Sequence, residues 1–156
     1  MRKRAKTAVI IAVIIMLGFI WGHSMASAEV SGKESVSVMN RLTAVLEFFV
    51  GKGNVTDHLV RKLAHFAEFA VLGFFAMLLF LLNGRRTASD IYRCVLDILA
   101  AAVVDETIQL FSPGRAGLVQ DILLDTLGGS FGILMIYFIA LITVRARKRK
   151  HDDKEK

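Results

Sequence analysis

The sequence predicts an all-α membrane protein: a single domain, residues 1–156, that forms a polytopic bundle of four transmembrane helices. The chain is 54% hydrophobic with a mean hydropathy of +0.54, which is too apolar for a typical soluble domain. Several apolar runs approach the roughly 20 residues that a helix needs to cross a bilayer. Most of the 20 Lys and Arg residues lie in groups beside the ends of these runs, as is typical of cytoplasmic flanks. The basic groups therefore indicate topology, and we expect no binding to nucleic acid.

The first apolar run predicts a transmembrane helix at about residues 7–25. Basic residues precede it, and Ala26-Ser27-Ala28 resembles the small-residue site at which a signal peptide is cut. From the residues alone, a retained helix and a cleaved signal peptide are both open. Either interpretation leaves residue 30 outside the cytoplasm.

The outer loop, residues 26–61, becomes amphipathic in its second half. Apolar residues recur there at helical spacing, while Arg41 and Glu47 lie off the apolar stripe. This pattern predicts an extracytoplasmic amphipathic helix, which lies on the membrane surface or packs as a lid on the bundle. Thr56 or Asp57 is suited to cap the helix that follows. The stripe consists of Val38, Met39, Leu42, Val45, Leu46, Phe49 and Val50.

Three further apolar runs predict the remaining transmembrane helices. Asn83-Gly84-Arg85-Arg86 ends the second run with positive charge, and Ser112-Pro113-Gly114 breaks the chain after the third. Because positive flanks mark the cytoplasmic side, we expect both termini in the cytoplasm, residues 84–90 inside and residues 112–117 outside. The predicted spans are residues 62–82, 91–111 and 118–144, followed by a basic cytoplasmic tail at residues 145–156.

The third span is the most polar of the four. It carries four polar side chains that could not all face lipid, because charge at depth in a bilayer is costly unless it is paired or in contact with water. We therefore expect this helix to be central in the bundle. Ionisable groups inside a hydrophobic span are also, by default, candidates for function. The four side chains are Asp97, Asp105, Glu106 and Gln109.

Polar side chains of the last three spans are predicted to meet at one level near the outer face, given a rise of about 1.5 Å per residue. On the fourth span, Asp121 and Asp125 share a stripe with Gly128 and Gly132. Such a small-xxx-small pair lets two helix backbones approach closely, which would carry both acids into the interior. Acids outnumber cations at this level. The predicted ligand-binding set is Lys62, His65, Glu68, Asp105, Glu106, Gln109, Arg115, Asp121 and Asp125.

Metal and cysteine chemistry receive little support from the sequence. His65, Glu68 and the aspartates offer ligand atoms, but no tight ligand motif of the zinc-binding kind is present. We therefore predict no metal and no cofactor. Cys94 is the single cysteine, so no intrachain disulfide can form.

Three motifs follow one another along the chain. They are Lys62-Leu63-Ala64-His65-Phe66-Ala67-Glu68-Phe69, Asp105-Glu106-x-x-Gln109-x-Phe111-x-Pro113-Gly114-Arg115, and Asp121-x-x-x-Asp125 with Gly128 and Gly132. Together they resemble the VanZ-like family of bacterial membrane proteins, over nearly the whole chain. The serine-containing segment 24–37 also resembles the family's segment after a retained first helix, which favours four spans over signal cleavage. Two positions depart from the family pattern: Phe69 stands where Tyr is expected, and Asp125 where Asn is usual.

The resemblance implies a multi-pass protein of the cell membrane that is associated with the Gram-positive cell envelope. For the founding member of the family it also implies low-level antibiotic resistance, to the glycopeptide teicoplanin. The resemblance supplies no established reaction. It therefore narrows the process more than the mechanism.

The first functional hypothesis is that the protein binds an envelope lipid or a lipid-linked headgroup at the outer polar cluster. Arg115, together with Lys62, would hold a phosphate or carboxylate, Arg115 through its planar fork. The carboxylates and Gln109 would contact sugar hydroxyls or amines.

Two alternatives stay open. The protein could be an enzyme that acts on such a headgroup by general acid–base chemistry, with His65 or Glu106 as base. Asp105 or Asp121 would then orient the base. The sequence shows no nucleophile elbow and no phosphate loop, so whether any reaction is catalysed stays undecided. The other alternative is a structural or partner-binding membrane protein whose polar cluster locks the bundle.

Overall fold

The structure is a computed structural model that describes residues 2–27, 29–30, 36, 47–48, 51 and 55–152. Its four long helices are α1 (Arg2–Ser24), α2 (Asp57–Leu82), α3 (Ala88–Gln109) and α4 (Val119–Asp152). Within these described ranges there is no β-strand, which confirms the all-α class. The predicted amphipathic helix, residues 38–50, lies outside the described residues except at Glu47 and Phe48.

Among the described helices, three are long and apolar enough to cross a membrane. They are Lys3–Ser24, Asp57–Leu82 and Val119–Ala146. The helix that does not belong to this group is α3, which carries Asp97, Asp105 and Glu106 along its length. Whether α3 can cross the membrane depends on whether the neighbouring helices keep these acids away from lipid.

The helix ends follow local capping rules, whereas the predicted spans followed hydropathy. α2 begins at Asp57, before the predicted apolar run, because the Thr56 side chain accepts a hydrogen bond of 3.2 Å from the Leu59 backbone N–H. This confirms Thr56 as the cap. α3 ends at Gln109 instead of residue 111, because the chain turns there. α4 continues through the basic tail to Asp152, well beyond the predicted apolar end at residue 144.

Consecutive helices of the bundle run antiparallel to each other. α1 and α4 each pack against both α2 and α3, and α2 also contacts α3. The expected central position of α3 is therefore shared with α2, since each of them contacts the other three helices. At the end where α2 turns into α3, the Lys6 ammonium donates a 2.6 Å hydrogen bond to Asn83 Oδ1, and the Tyr137 hydroxyl donates one of 3.1 Å to the Arg86 carbonyl. The start of α1 and the later part of α4 thus lie at this end.

α2 and α4 pack along a glycine seam. A Cβ added at Gly128 would collide with the Phe66 carbonyl, and one added at Gly132 would collide with the Ala70 carbonyl. Gly73 of α2 is equally close to the backbone of Gly129. The predicted small-xxx-small contact is therefore confirmed. Beside the seam lies the apolar core, which includes Ile20, Phe69, Leu72, Met77, Ile98, Ala102 and Ile133.

Candidate functional site

A polar cavity of about 170 Å³ opens at the end of the bundle opposite the α2–α3 turn. The beginnings of α2 and α4, the end of α3 and the α3–α4 connection all contribute to its wall. The lining side chains that carry charge or hydrogen-bonding groups are His58, Arg61, Lys62, His65, Glu106, Gln109, Arg115, Asp121 and Asp125. Helices that are distant in sequence thus bring their polar residues together, as the helical rise predicted.

Asp105 lies behind this cavity and ties three segments to one another. Its carboxylate is fully buried, and it accepts a 2.7 Å hydrogen bond from the Ser24 hydroxyl and one of 3.0 Å from the Gln109 amide. The Ser112 hydroxyl in turn donates a 2.8 Å hydrogen bond to the Ser24 carbonyl. The end of α1 is therefore held against α3 by polar contacts that accompany the apolar packing.

Glu106 holds the connection between α3 and α4 in place through hydrogen bonds. One carboxylate oxygen accepts a 3.0 Å hydrogen bond from the Gln109 amide, and the other accepts one of 2.8 Å from the Leu118 backbone N–H. Gly117 makes this approach possible, since a Cβ there would lie 2.8 Å from the Glu106 backbone carbonyl. Because Glu106 also lines the cavity, a change of its charge would alter both its interaction with a ligand and its hydrogen bond to the α3–α4 connection.

Basic side chains lie at the cavity wall. Lys62 forms a 2.9 Å ion pair with Asp121, and both side chains are partly exposed. Arg115 is partly buried and lines the cavity together with Glu106 and Asp121. Its position follows from a turn in which Gly114 has a φ of 74° and the Arg115 N–H donates a 3.1 Å hydrogen bond to the Ser112 carbonyl.

His65 lies between two acids from different helices. Its Nδ1 is 3.9 Å from an oxygen of Asp105 and 3.9 Å from an oxygen of Asp125, which is too far for a hydrogen bond. The imidazole ring of His65 also stacks on the ring of His23, with 6.2 Å between the ring centroids. The Nδ1 atom of His23 lies 3.6 Å from Glu68. Glu68 therefore approaches α1 and does not line the cavity, unlike the other predicted residues of α2.

Most of the predicted residues line the cavity, and their binding of a ligand stays a prediction. All the predicted members line the cavity except Asp105, which lies just behind it, and Glu68. Sequence reasoning missed His23 and Ser24 at the end of α1, and Ser112 of the α3–α4 connection, which donates to the Ser24 carbonyl. The sequence offered one signal for them, since the polar residues His23 and Ser24 end the otherwise apolar run of α1.

The comparison with protein families identifies the chain. The model of the VanZ/LLP1 family matches residues 9–141. The chain belongs to the VanZ/LLP1 family. The match includes all of α2 and α3, most of α1 and α4, and every residue of the cavity, so the site is part of the VanZ/LLP1 domain itself. Comparisons with curated proteins and with solved structures found no match.

The chemistry of this VanZ/LLP1 site suits a ligand that carries both negative charge and polar neutral or positive groups. Arg61, Lys62 and Arg115 can contact an anion, Arg through two parallel N–H groups. Glu106 and Asp125 can accept hydrogen bonds from hydroxyl or amino groups. The volume of the cavity corresponds to several water molecules at about 30 Å³ each, which is enough for a small headgroup.

Proposed function

We propose that this chain is a four-span integral protein of the bacterial cell membrane, with both termini in the cytoplasm and the cavity at the extracytoplasmic face. The basic residues Lys6, Arg85 and Arg86 gather at the end opposite the cavity, which supports this orientation because positive flanks stay in the cytoplasm. Three neighbouring helices surround α3, and its acids Asp105 and Glu106 are buried. A fourth span is therefore compatible with these two acids, whereas Asp97 is exposed and would need water or a lipid headgroup within reach.

Cysteine labelling in cells tests the orientation. After replacement of Cys94, a membrane-impermeant thiol reagent should label Ala116→Cys from outside, whereas Ala88→Cys should react after permeabilisation only. Both positions are exposed at opposite ends of the bundle, which makes them a matched pair. The opposite labelling pattern would invert the topology.

We also propose that α1 is retained in the mature protein. Ser24 donates to the buried Asp105, and the Trp21 indole donates to the Ala101 carbonyl at 3.4 Å. Cleavage after Ala28 would remove both contacts and leave the Asp105 oxygen without its hydroxyl donor. The intact mass of the purified protein decides the question, because a mass equal to that of residues 29–156 would prove cleavage.

The proposed activity is binding of an envelope lipid or lipid-linked precursor through its anionic headgroup. The observation that carries this proposal is the cavity, in which Arg61, Lys62 and Arg115 lie among buried acids at one end of a membrane bundle. Arg115 would grip a phosphate or carboxylate through its planar fork, which the point charge of a lysine cannot reproduce. Binding of this kind would underlie the protection against teicoplanin that the family resemblance implies.

Drug susceptibility of cells that carry each variant tests this role, once the wild type is shown to protect. Arg115→Lys should keep the fold but lose most protection, and Arg115→Ala should lose protection together with some thermal stability. Arg93→Ala is the matched control, because Arg93 is exposed near the opposite end of α3. If Arg115→Lys protects as well as the wild type, the residue supplies generic positive charge and the bidentate role is wrong.

An enzymatic role is the second candidate, and the placement of His65 favours it. An imidazole that approaches Asp105 and Asp125 at 3.9 Å resembles a base with orienting groups, whose contacts often shorten when substrate binds. Glu106 is the other candidate base, because it lines the cavity. Incubation of the purified protein with envelope lipids, followed by mass spectrometry, should then reveal a modified headgroup. Absence of any product under conditions that support binding would reject catalysis.

A purely structural role for the cluster is separable from both. It requires that Glu106→Gln lose stability and function together, because the change disturbs the hydrogen bonds to Gln109 and Leu118. A folded, normally expressed and inactive Glu106→Gln protein would reject that role.

A further inference from the structure

Three buried side chains from three helices converge beside the cavity. His65 of α2, Asp105 of α3 and Asp125 of α4 each offer one ligand atom, and these atoms lie within 4.8 Å of one another. All three side chains are buried. Such a set is uncommon as packing alone, because a buried carboxylate needs a compensating partner.

Asp125 lacks such a partner in the part of the chain that the structure describes. Its side chain is 0% exposed, yet neither of its carboxylate oxygens has a hydrogen-bond partner among the described residues. His65 Nδ1 lies 3.9 Å from one of these oxygens, which is too far for a hydrogen bond. Asp105 differs, because Ser24 and Gln109 donate to it. A carboxylate at this place would be stabilised by a positively charged ligand.

The spacing fits a metal ion better than a direct hydrogen bond. Two ligands that each lie about 2.1 Å from an ion can be at most about 4.2 Å apart. His65 Nδ1 lies 3.9 Å from an oxygen of each carboxylate, and all three ligand atoms lie within 4.8 Å of one another, so a small side-chain movement would bring them around one ion. The imidazole nitrogen suits Zn²⁺, and the two carboxylates also suit Mn²⁺. Ca²⁺ and Mg²⁺ are less suited, because they prefer oxygen ligands alone. Hydrogen bonds from Ser24 and Gln109 to Asp105 would orient that ligand, as outer partners commonly do in metal sites.

We propose that His65, Asp105 and Asp125 form a binding site for a divalent transition-metal ion at the inner wall of the cavity. The sequence prediction of no metal rested on the absence of a local motif, whereas these ligands come from three helices. His65 and Asp125 also line the cavity, so the remaining coordination positions would face it. If the proposed headgroup binding is correct, an oxygen of the anionic headgroup would occupy one of them.

The test uses the full-length chain in detergent, purified without a polyhistidine tag and stripped with a chelator. Titration with Mn²⁺, followed by electron paramagnetic resonance of the free ion, should show uptake of one ion per chain, and Zn²⁺ should displace it. Asp125→Asn should weaken Mn²⁺ binding about 100-fold or more, since loss of an outer partner alone costs about 10- to 100-fold. The matched control is Asp97→Asn, the same change at an exposed acid of α3, which should leave binding unchanged.

If Asp125→Asn fails to fold, the titration of the wild type and a second variant, His65→Gln, test the site. A thermal midpoint that rises with Mn²⁺ for the wild type but not for His65→Gln would support the site. Failure of the folded wild type to take up either ion in stoichiometric amount would overturn it. So would equal loss of binding in Asp97→Asn and Asp125→Asn. Because the metal is titrated without lipid, failure of the metal site and failure of headgroup binding are separate results.

Discussion

α2 and α4 meet in two regions whose packing differs. Along the glycine seam, Gly73, Gly128 and Gly132 bring the helix backbones so close that no Cβ fits. Near the other end, Lys62 and Asp121 span the gap as an ion pair and a cavity remains beneath them. A region that is filled completely can serve stability alone, whereas a polar region that keeps space can also accept a ligand. We therefore expect substitutions in the seam to change stability and substitutions at the polar end to change ligand binding.

The largest effect is expected at the seam. Gly132→Ala should destabilise the protein by about 3 kcal/mol, because the new methyl group meets the rigid backbone of Ala70. The matched control is Gly18→Ala on α1, where nothing lies within 4 Å of the added Cβ and helix propensity improves by up to about 1 kcal/mol. Thermal unfolding in detergent measures both. Equal stability of the two variants would show that α2 and α4 are not locked at this seam.

A smaller effect is expected from the hydrogen-bonded part of the polar end. Asp105→Ala should cost about 2 kcal/mol, because the Ser24 hydroxyl and the Gln109 amide lose their acceptor in a buried place. Asp97→Ala removes an exposed acid from the same helix and should change stability by no more than about 0.5 kcal/mol. If both variants unfold alike, Asp105 does not anchor α1.

The ion pair between Lys62 and Asp121 should contribute less again. Both side chains are partly exposed, so a double-mutant cycle with Lys62→Met and Asp121→Asn should give a coupling of about 0.5 to 1 kcal/mol that decreases with added salt. Thermal unfolding of the four proteins in the cycle supplies the value. A coupling of several kcal/mol would show that this pair holds α2 and α4 together, so that the polar end would contribute to stability as the glycine seam does.

The smallest effect belongs to the cap of α3, far from the cavity. Hydrogen bonds from the Thr87 side chain and backbone lower the pKa of Asp90 below its ordinary 3.8. The stabilisation by these hydrogen bonds is therefore complete above the ordinary pKa of 3.8, and it is lost as the pH falls through the lowered pKa of Asp90. Thr87→Val should destabilise slightly at pH 7, and its difference from wild type should shrink below about pH 4.

The control for the cap is Thr107→Val. Thr107 donates only to the Val103 carbonyl one turn earlier in α3, so its effect should not vary with pH. Unfolding midpoints between pH 3 and pH 7 provide the comparison. A difference between wild type and Thr87→Val that stays constant over this range would show that Asp90 is not linked to the cap.

The convergence of the polar side chains was predictable because helical rise and azimuth are nearly fixed by sequence position. Those rules placed His65, Asp121 and Asp125 at one level, and the glycine stripe confirmed which face of α4 is inward. Rotation of α1 was not predictable, because apolar residues surround that helix on all sides and leave no preferred face. Ser24 and His23 were therefore missed.

Loop geometry was the other limit of the sequence reasoning. The hydrogen bond from the Leu118 N–H to Glu106 depends on the path of residues 110–118, which neither periodicity nor hydropathy specifies. The same limit applies to Glu68, whose approach to His23 depends on the position of α1. Spatial clusters such as His65, Asp105 and Asp125 are visible only when three helices have been packed.

Native mass spectrometry of the protein released from bacterial membranes in mild detergent tests the central claim, that the polar end holds an anionic lipid headgroup. We expect one phosphate-containing lipid or lipid-linked precursor to stay bound to the wild type and to Arg93→Ala. Retention should fall at least about tenfold in Arg115→Ala, which corresponds to about 1.4 kcal/mol of binding free energy. A folded wild type that retains no such lipid, or equal retention by all three proteins, would show that the polar end does not bind a lipid headgroup through Arg115.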